Sequence, residues 1–285
     1  MPKTVYNTAI VTDTGQVMIA HPNVTNARPI AVFDSGVGGI SVLKHIHHLL
    51  PNEHLLYVAD SFHAPYGNKS AAEIQARCFA IAEFLIAKDA KALVVACNTA
   101  TAAAIDQMRA KYRLPIIGME PAVKPAAAAS RSGIIGVLAT TGTLQSAQFA
   151  ALLESYGRNV EVVTQACVGL VECVERGELS HDSTRAMVKQ YCQPLLDEGA
   201  DSIVLGCTHY PFLKPLIQEV VGEGVVLIDT GAAVAKQLNC RLLEQGLLAT
   251  SNQNARVKFW SNSVNTNAEH VIAQLWGVPV KVSNF

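Results

Sequence analysis

The sequence predicts an α/β protein built from two similar, doubly wound domains with mostly parallel sheets. The domains are related by pseudo-symmetry, with the functional site in the cleft between them. Three observations carry this. Short apolar runs alternate with longer helix-like segments along the chain, the pattern of βαβ units. The runs are continuously apolar rather than alternating, as in strands covered on both faces. The order of motifs also recurs roughly 105–110 residues later, a duplication of whole units rather than a short-repeat solenoid. "IAVFDSGVGGISVLKHI" (30–46) matches "IIGVLATTGTLQSAQFA" (134–150), and "VVAC" (94–97) matches "VLGC" (204–207).

In order, strands are expected at 30–34, 54–59, 92–96, 115–119, 134–139, 160–165, 202–206 and 225–229. Helices are expected at 38–49, 70–89, 101–112, 143–156, 182–198, 212–221 and 230–245. The first strand ends in Asp34 and Ser35, before Gly36, Gly38 and Gly39. The third delivers Cys97 onto Asn98 and Thr99, both good N-cap types. The fifth runs into Thr140, Thr141 and Thr143. The seventh ends at Cys207, followed by Thr208, His209 and Tyr210, with Pro211 and Pro215 as first-turn prolines. Ligands of such sheets bind outside the carboxyl ends of the strands. Both cysteines sit there, on opposite walls of the cleft.

At 285 residues the chain exceeds the usual size of one domain. Half of it is hydrophobic, ample for two cores. A net charge of −1 gives no reason to expect nucleic acid or an anionic membrane as partner. Asn7, Thr12, Asp13 and Gln16 interrupt any signal core, and no stretch approaches the roughly 20 apolar residues of a membrane span. The cytoplasm is the expected compartment. Seven cysteines without a C-x-x-C pair argue against a disulfide framework, a redox dithiol or a zinc cluster, and leave free thiols.

A thiol at a helix N-terminus feels a positive potential that favours the thiolate. One such cysteine is as readily a small buried residue closing a strand; two in matching positions are harder to ascribe to packing. The glycine turn reads G-x-G-G and lacks the acidic residue of the dinucleotide fingerprint. Together with the threonine turn (140–143) and the loop "HAPYGNKS" (63–70), it can still present donors to a small carboxylate. His209 is placed to tune Cys207 or to donate a proton. Glu172, beside Leu170, Val171 and Val174, is either a solvated edge or a functional acid. Two opposed thiols suit proton removal from one face of a carbon and delivery to the other, which inverts a stereocentre without a cofactor. No lysine stands at a strand end as a Schiff-base candidate for pyridoxal phosphate.

"DSGVGG", "PYG", "ACNTAT", "ATTGT" and "GCTHYP", in this order, closely resemble the glutamate racemases of the aspartate/glutamate racemase superfamily, over residues 29–280. The resemblance implies a cofactor-independent isomerase that converts L-glutamate to D-glutamate for peptidoglycan. It implies that Cys97 handles the proton on the D-isomer side and Cys207 on the L-isomer side. Asp34, His209 and Glu172 are then the thiol-assisting residues, with Glu175 as the alternative to Glu172. Substrate contacts carry over to Asp34, Ser35, Tyr66, Gly67, Asn98, Thr99, Thr140, Thr143, Thr208 and His209. A discontinuous first domain (29–120 and 230–285) around a second (121–229) is also implied, and a homodimer would be ordinary. Residues 1–28 lie outside the shared motifs. They resemble the extension on the branch activated by UDP-N-acetylmuramoyl-L-alanine. Rival readings are a racemase for aspartate or another acid, a one-cysteine decarboxylase, and a non-enzymatic two-lobed binding protein. Two complete cysteine motifs oppose the decarboxylase.

Overall fold

The computed structural model describes residues 9–11, 17–19, 26–157, 160–249, 255–263 and 267–285. Near the start, β1 (Ala9–Val11) and β2 (Val17–Ile19) pair as an antiparallel ribbon. The rest of residues 1–25, on which the expectation of an activator-linked extension falls, lies outside the described residues.

The chain then forms β3 (Ile30–Asp34), α1 (Ile40–Leu49), β4 (Leu55–Ala59), α2 (Ala71–Ile86), β5 (Ala92–Val95), α3 (Asn98–Lys111) and β6 (Ile116–Ile117). These strands lie parallel in the order β4-β3-β5-β6. After α4 (Val123–Ala129) the plan repeats with β7 (Ile134–Ala139), α5 (Thr141–Leu144), α6 (Ala147–Tyr156), β8 (Glu161–Ala166), α7 (Leu170–Glu175) and α8 (Asp182–Asp197). It finishes with β9 (Ser202–Leu205), α9 (Lys214–Val221) and β10 (Val226–Ile228). The second sheet is also parallel, in the order β8-β7-β9-β10.

The two orders are the same. In each, the first strand is central, the second lies to one side, and the third and fourth lie to the other. The topological switch point, where doubly wound sheets hold their ligands, therefore falls between β3 and β5 in one sheet and between β7 and β9 in the other. Through α10 (Gly231–Glu244), which packs on α1, the chain returns to the first sheet. There β11 (Val257–Ser261) pairs with β4, and after α11 (Ala268–Trp276) β12 (Val282–Asn284) extends the sheet to six strands.

Alternate side chains of each central strand feed opposite layers. Ile30 and Val32 pack with Ile40, Leu43 and Ile46 of α1, while Ala31 and Phe33 pack with Ile74, Ile81 and Leu85 of α2. Each large side chain buried this way stabilises the fold by about 1.5–3 kcal/mol. Ser70 and Glu73 form a reciprocal capping box that fixes where α2 starts.

Among the local expectations that change, three show a clear physical reason. The predicted helix 143–156 is two helices, because Ser146 accepts from Phe149 N and donates to Thr143 O, which starts α6 afresh. The helix expected from 101 begins at Asn98, because Cys97 itself is the N-cap. Strand β11 was not expected: only Phe259 and Ser261 of its residues are buried, so it lacks a continuous apolar run.

Candidate active site

The carboxyl ends of β3, β5, β7 and β9 converge. Asp34 closes β3 with no exposed surface and organises the turn after it. One carboxylate oxygen accepts from Ser35 N (2.6 Å) and Ser35 Oγ (3.2 Å). The other accepts from Gly39 N (2.6 Å) and from Thr208 Oγ1 (3.1 Å), across from the second sheet. Burial pushes the Asp34 carboxyl above its ordinary range, and the Glu175 charge adds to that; His209 and the donors around it pull the other way. Tyr57 OH holds the Gly36 carbonyl at 2.7 Å, so the glycine turn is anchored to β4 as well.

Cys97 caps α3, its Sγ accepting from Ala100 N at 3.4 Å and lying 3.8 Å from Ser35 Oγ. Its place at a helix N-terminus led to the expectation of a readily ionised thiol. The balance runs the other way: burial, then the Asp34 charge, push the Cys97 thiol well above its usual range. Cys207 follows β9 but caps no α-helix. A short 3-10 turn, Tyr210–Leu213, intervenes before α9. Its helper is a side chain instead, with His209 Nδ1 3.6 Å from Cys207 Sγ.

Behind His209 stands Glu175, whose Oε1 lies 2.7 Å from His209 Nε2. That carboxylate also accepts from Val37 N (2.7 Å) and Ser61 Oγ (2.9 Å) of the first sheet's loops. Burial disfavours a charged imidazole, yet the bonds to Cys207 and Glu175 outweigh it and raise the His209 pKa well above the ordinary value. The expected assisting acid, Glu172, is not the partner of His209. It lines a small cavity of about 60 Å³ with Pro65, Gly67, Thr140 and Val168. Both glutamates lie on the short helix α7, and only Glu175 is aimed at the glycine turn. The fit there is close: a Cβ on Gly36 would sit 1.9 Å from Glu175 Oε1, and one on Gly38 would sit 2.3 Å from His209 Nδ1.

Three threonines join the sheets on the Cys97 side. Thr99 Oγ1 lies 2.9 Å from Thr140 Oγ1 and 3.1 Å from Thr143 Oγ1. Gly67 approaches so near that an added Cβ would meet Thr140 at 2.8 Å. Asn98 is buried beside Cys97, and its Oδ1 has no hydrogen-bond partner among the described residues, an acceptor suited to an ammonium group. Tyr66 is buried with its hydroxyl 2.5 Å from Asp60 Oδ2.

Asp60 was not singled out from sequence. Fully buried at the end of β4, it also takes Arg77 Nε (3.0 Å) and Nη2 (2.8 Å), Asn262 Nδ2 (2.5 Å) and His63 Nδ1 (3.1 Å). Its signal was available: it directly follows β4, much as Asp34 closes β3. No cluster of three or more His, Cys, Asp or Glu able to hold a metal ion occurs among the described residues. Among them, too, no helix is long and apolar enough to cross a membrane.

Two parallel sheets, a cysteine after the third strand of each, and a carboxylate-backed neighbour beside each thiol are an arrangement that suits an amino-acid racemase. The chain belongs to the Asp/Glu/hydantoin racemase family, whose model matches residues 30–238. Similar curated proteins include glutamate racemases. The one from Ectopseudomonas mendocina is 58% identical over 258 residues, covering 90% of this chain and 98% of that protein. The solved glutamate racemase isoform RacE1 of Bacillus anthracis matches with a TM-score of 0.83 at 34% identity, covering 91% of this chain and 98% of that one. The Escherichia coli glutamate racemase, solved with L-glutamate and the activator UDP-MurNAc-Ala, matches with a TM-score of 0.80 at 31% identity over 90% and 98%.

Proposed function

We propose that the chain interconverts L- and D-glutamate by proton transfer between two cysteines. Cys207, as thiolate, takes the Cα proton of L-glutamate, and the electron pair left on Cα spreads into the α-carboxylate. Cys97, as thiol, delivers its proton to the opposite face. D-glutamate leaves with Cys97 as thiolate and Cys207 as thiol, the state that runs the reverse reaction. The carrying observation is the matched placement of two buried thiols, after β5 and after β9, each with a carboxylate-backed neighbour.

A thiol held above its usual range suits Cys97 as the waiting acid. His209, backed by Glu175, exchanges a proton with Cys207, and Asp34 orients the turn that faces Cys97. Asn98 Oδ1 receives the substrate ammonium. Ser35, Thr99, Thr140, Thr143 and Thr208 offer hydroxyls to the two carboxylates, with Tyr66 and Gly67 closing the pocket. Donors aimed at the carboxylate lower the cost of the developing carbanion. Residues 29–120 with 230–285, and residues 121–229, part to admit glutamate and close over it. Glutamate as substrate rests on the relatives and on the E. coli complex with L-glutamate. By the same likeness, UDP-N-acetylmuramoyl-L-alanine is the activator, coupling cytoplasmic D-glutamate supply to peptidoglycan precursors.

The test is α-proton exchange in deuterated water from each isomer, with and without the activator. Exchange coupled to inversion from both isomers is expected, faster with activator. No exchange on either isomer, nor on aspartate, would replace the racemase by a binding protein. Removing residues 1–20 without changing basal or activated rates would take activation away from the extension.

A further inference from the structure

The carboxylates behind the two thiols are each braced from the other sheet. Asp34, on the first sheet, receives Thr208 Oγ1 from the loop after β9. Glu175, on α7 of the second unit, receives Val37 N and Ser61 Oγ from loops of the first. Four of these groups already have roles: Asp34, Thr208 and Glu175 in the site, Val37 as a backbone donor within its glycine turn. Ser61 has none.

We propose, resting on the two-cysteine reading above, that Ser61 is a positioning residue for the Cys207 half of the site, acting through Glu175 and His209. Glu175 Oε1 carries two donors, Val37 N and His209 Nε2, both at 2.7 Å. Its orientation is then fixed by what holds Oε2, and that is the Ser61 hydroxyl at 2.9 Å. With both oxygens engaged, the carboxylate keeps Nε2 of the imidazole as its donor, which leaves Nδ1 directed at Cys207 Sγ, 3.6 Å away. A hydroxyl lost here frees one oxygen of a carboxylate whose side chain is only 15% exposed, so water replaces the bond poorly.

Ser61 is also well placed to link this relay to the substrate loop. It opens the 3-10 turn Ser61–His63, between the buried Asp60 and the Pro65–Tyr66–Gly67 segment. The brace spans both units, so it is complete only when they are closed. The Cys97 half has no contact with Ser61 in this chain of bonds; its carboxylate is held by Ser35, Gly39 and Thr208.

The experiment compares Ser61→Ala and Ser61→Thr with the unaltered protein. Loss of a hydrogen bond to a charged group is expected to lower kcat about tenfold in Ser61→Ala with KM little changed, and Ser61→Thr restores the rate. Direction separates positioning from general damage. With α-deuterated L-glutamate, whose deuteron Cys207 removes, the isotope effect on kcat rises in Ser61→Ala as that step becomes limiting. With α-deuterated D-glutamate, removed by Cys97, it does not rise. A wild-type rate in Ser61→Ala, an equal rise of the isotope effect with both deuterated isomers, or no rescue by threonine would overturn the assignment. An unaltered protein without α-proton exchange on either isomer would instead overturn the racemase reading itself.

Discussion

The two halves of the site share one topology and differ in chemistry. Cys97 caps a helix and faces a carboxylate, Asp34, held by donors of its own turn and by Thr208 of the other sheet. Cys207 caps no α-helix and faces an imidazole backed by a carboxylate from another element. The shared strand order places the thiols alike, and the neighbouring loops give each its own surroundings. On the proposed two-cysteine reading, a near-symmetric fold serves the two opposite faces of one carbon with unlike helpers. The lesson is that strand order sets where a thiol stands, while loop side chains set its surroundings.

The largest expected effect removes either thiol. Cys97→Ala and Cys207→Ala should each cost roughly 10²–10⁴-fold in racemisation or more, read as inversion by optical rotation. If one variant kept near-normal inversion, the two-sided comparison would break. Next, Gly36→Ala drives a methyl into Glu175 and should destabilise by about 1–3 kcal/mol in a thermal or denaturant midpoint, with kcat falling as the relay is displaced. A silent Gly36→Ala would mean the turn and α7 are not held this close in solution.

Sharper still is the pair Glu175→Gln and Glu172→Gln. The first should lower kcat about ten- to a hundredfold, as expected for a charge-assisted bond; the second should stay within about twofold. The opposite ranking would return the assisting role to Glu172. Smallest is a pH effect on stability. The His209 pKa is raised on folding, so its stabilising contribution is fully present below the unfolded value of about 6.5. It is lost as pH rises through the higher folded value. The melting-point gap between the protein and His209→Gln should therefore be widest in mild acid and narrow on the alkaline side. A gap that widens with pH would reverse the sign of the His209–Glu175–Cys207 coupling.

Much of this was readable from residue order. Strand ends are marked by an abrupt change from apolar to small polar residues, so Asp34, Cys97, Thr140 and Cys207 stood out, and the repeat paired them. Glu175 was not separable from Glu172 because positions three apart lie near one helix face. Which one meets His209 depends on how α7 docks against the 36–38 turn, a tertiary fact. Asp60 was passed over because an acid at a strand end also reads as ordinary turn chemistry. β11 escaped because half-buried strands lack the continuous apolar run that marked the central ones.

The return of the chain to its first sheet also fixes an order of events during synthesis. Every strand of the second sheet has been made by Ile228, whereas β11 and β12 of the first come only from Val257 onward. Asp60, sealed from water in the finished protein, waits for Asn262 to arrive from 202 positions further along. On the ribosome, the inserted unit can therefore mature inside a host that is still unfinished. The loop carrying Tyr66 reaches its final support only after every strand of the second sheet has been built.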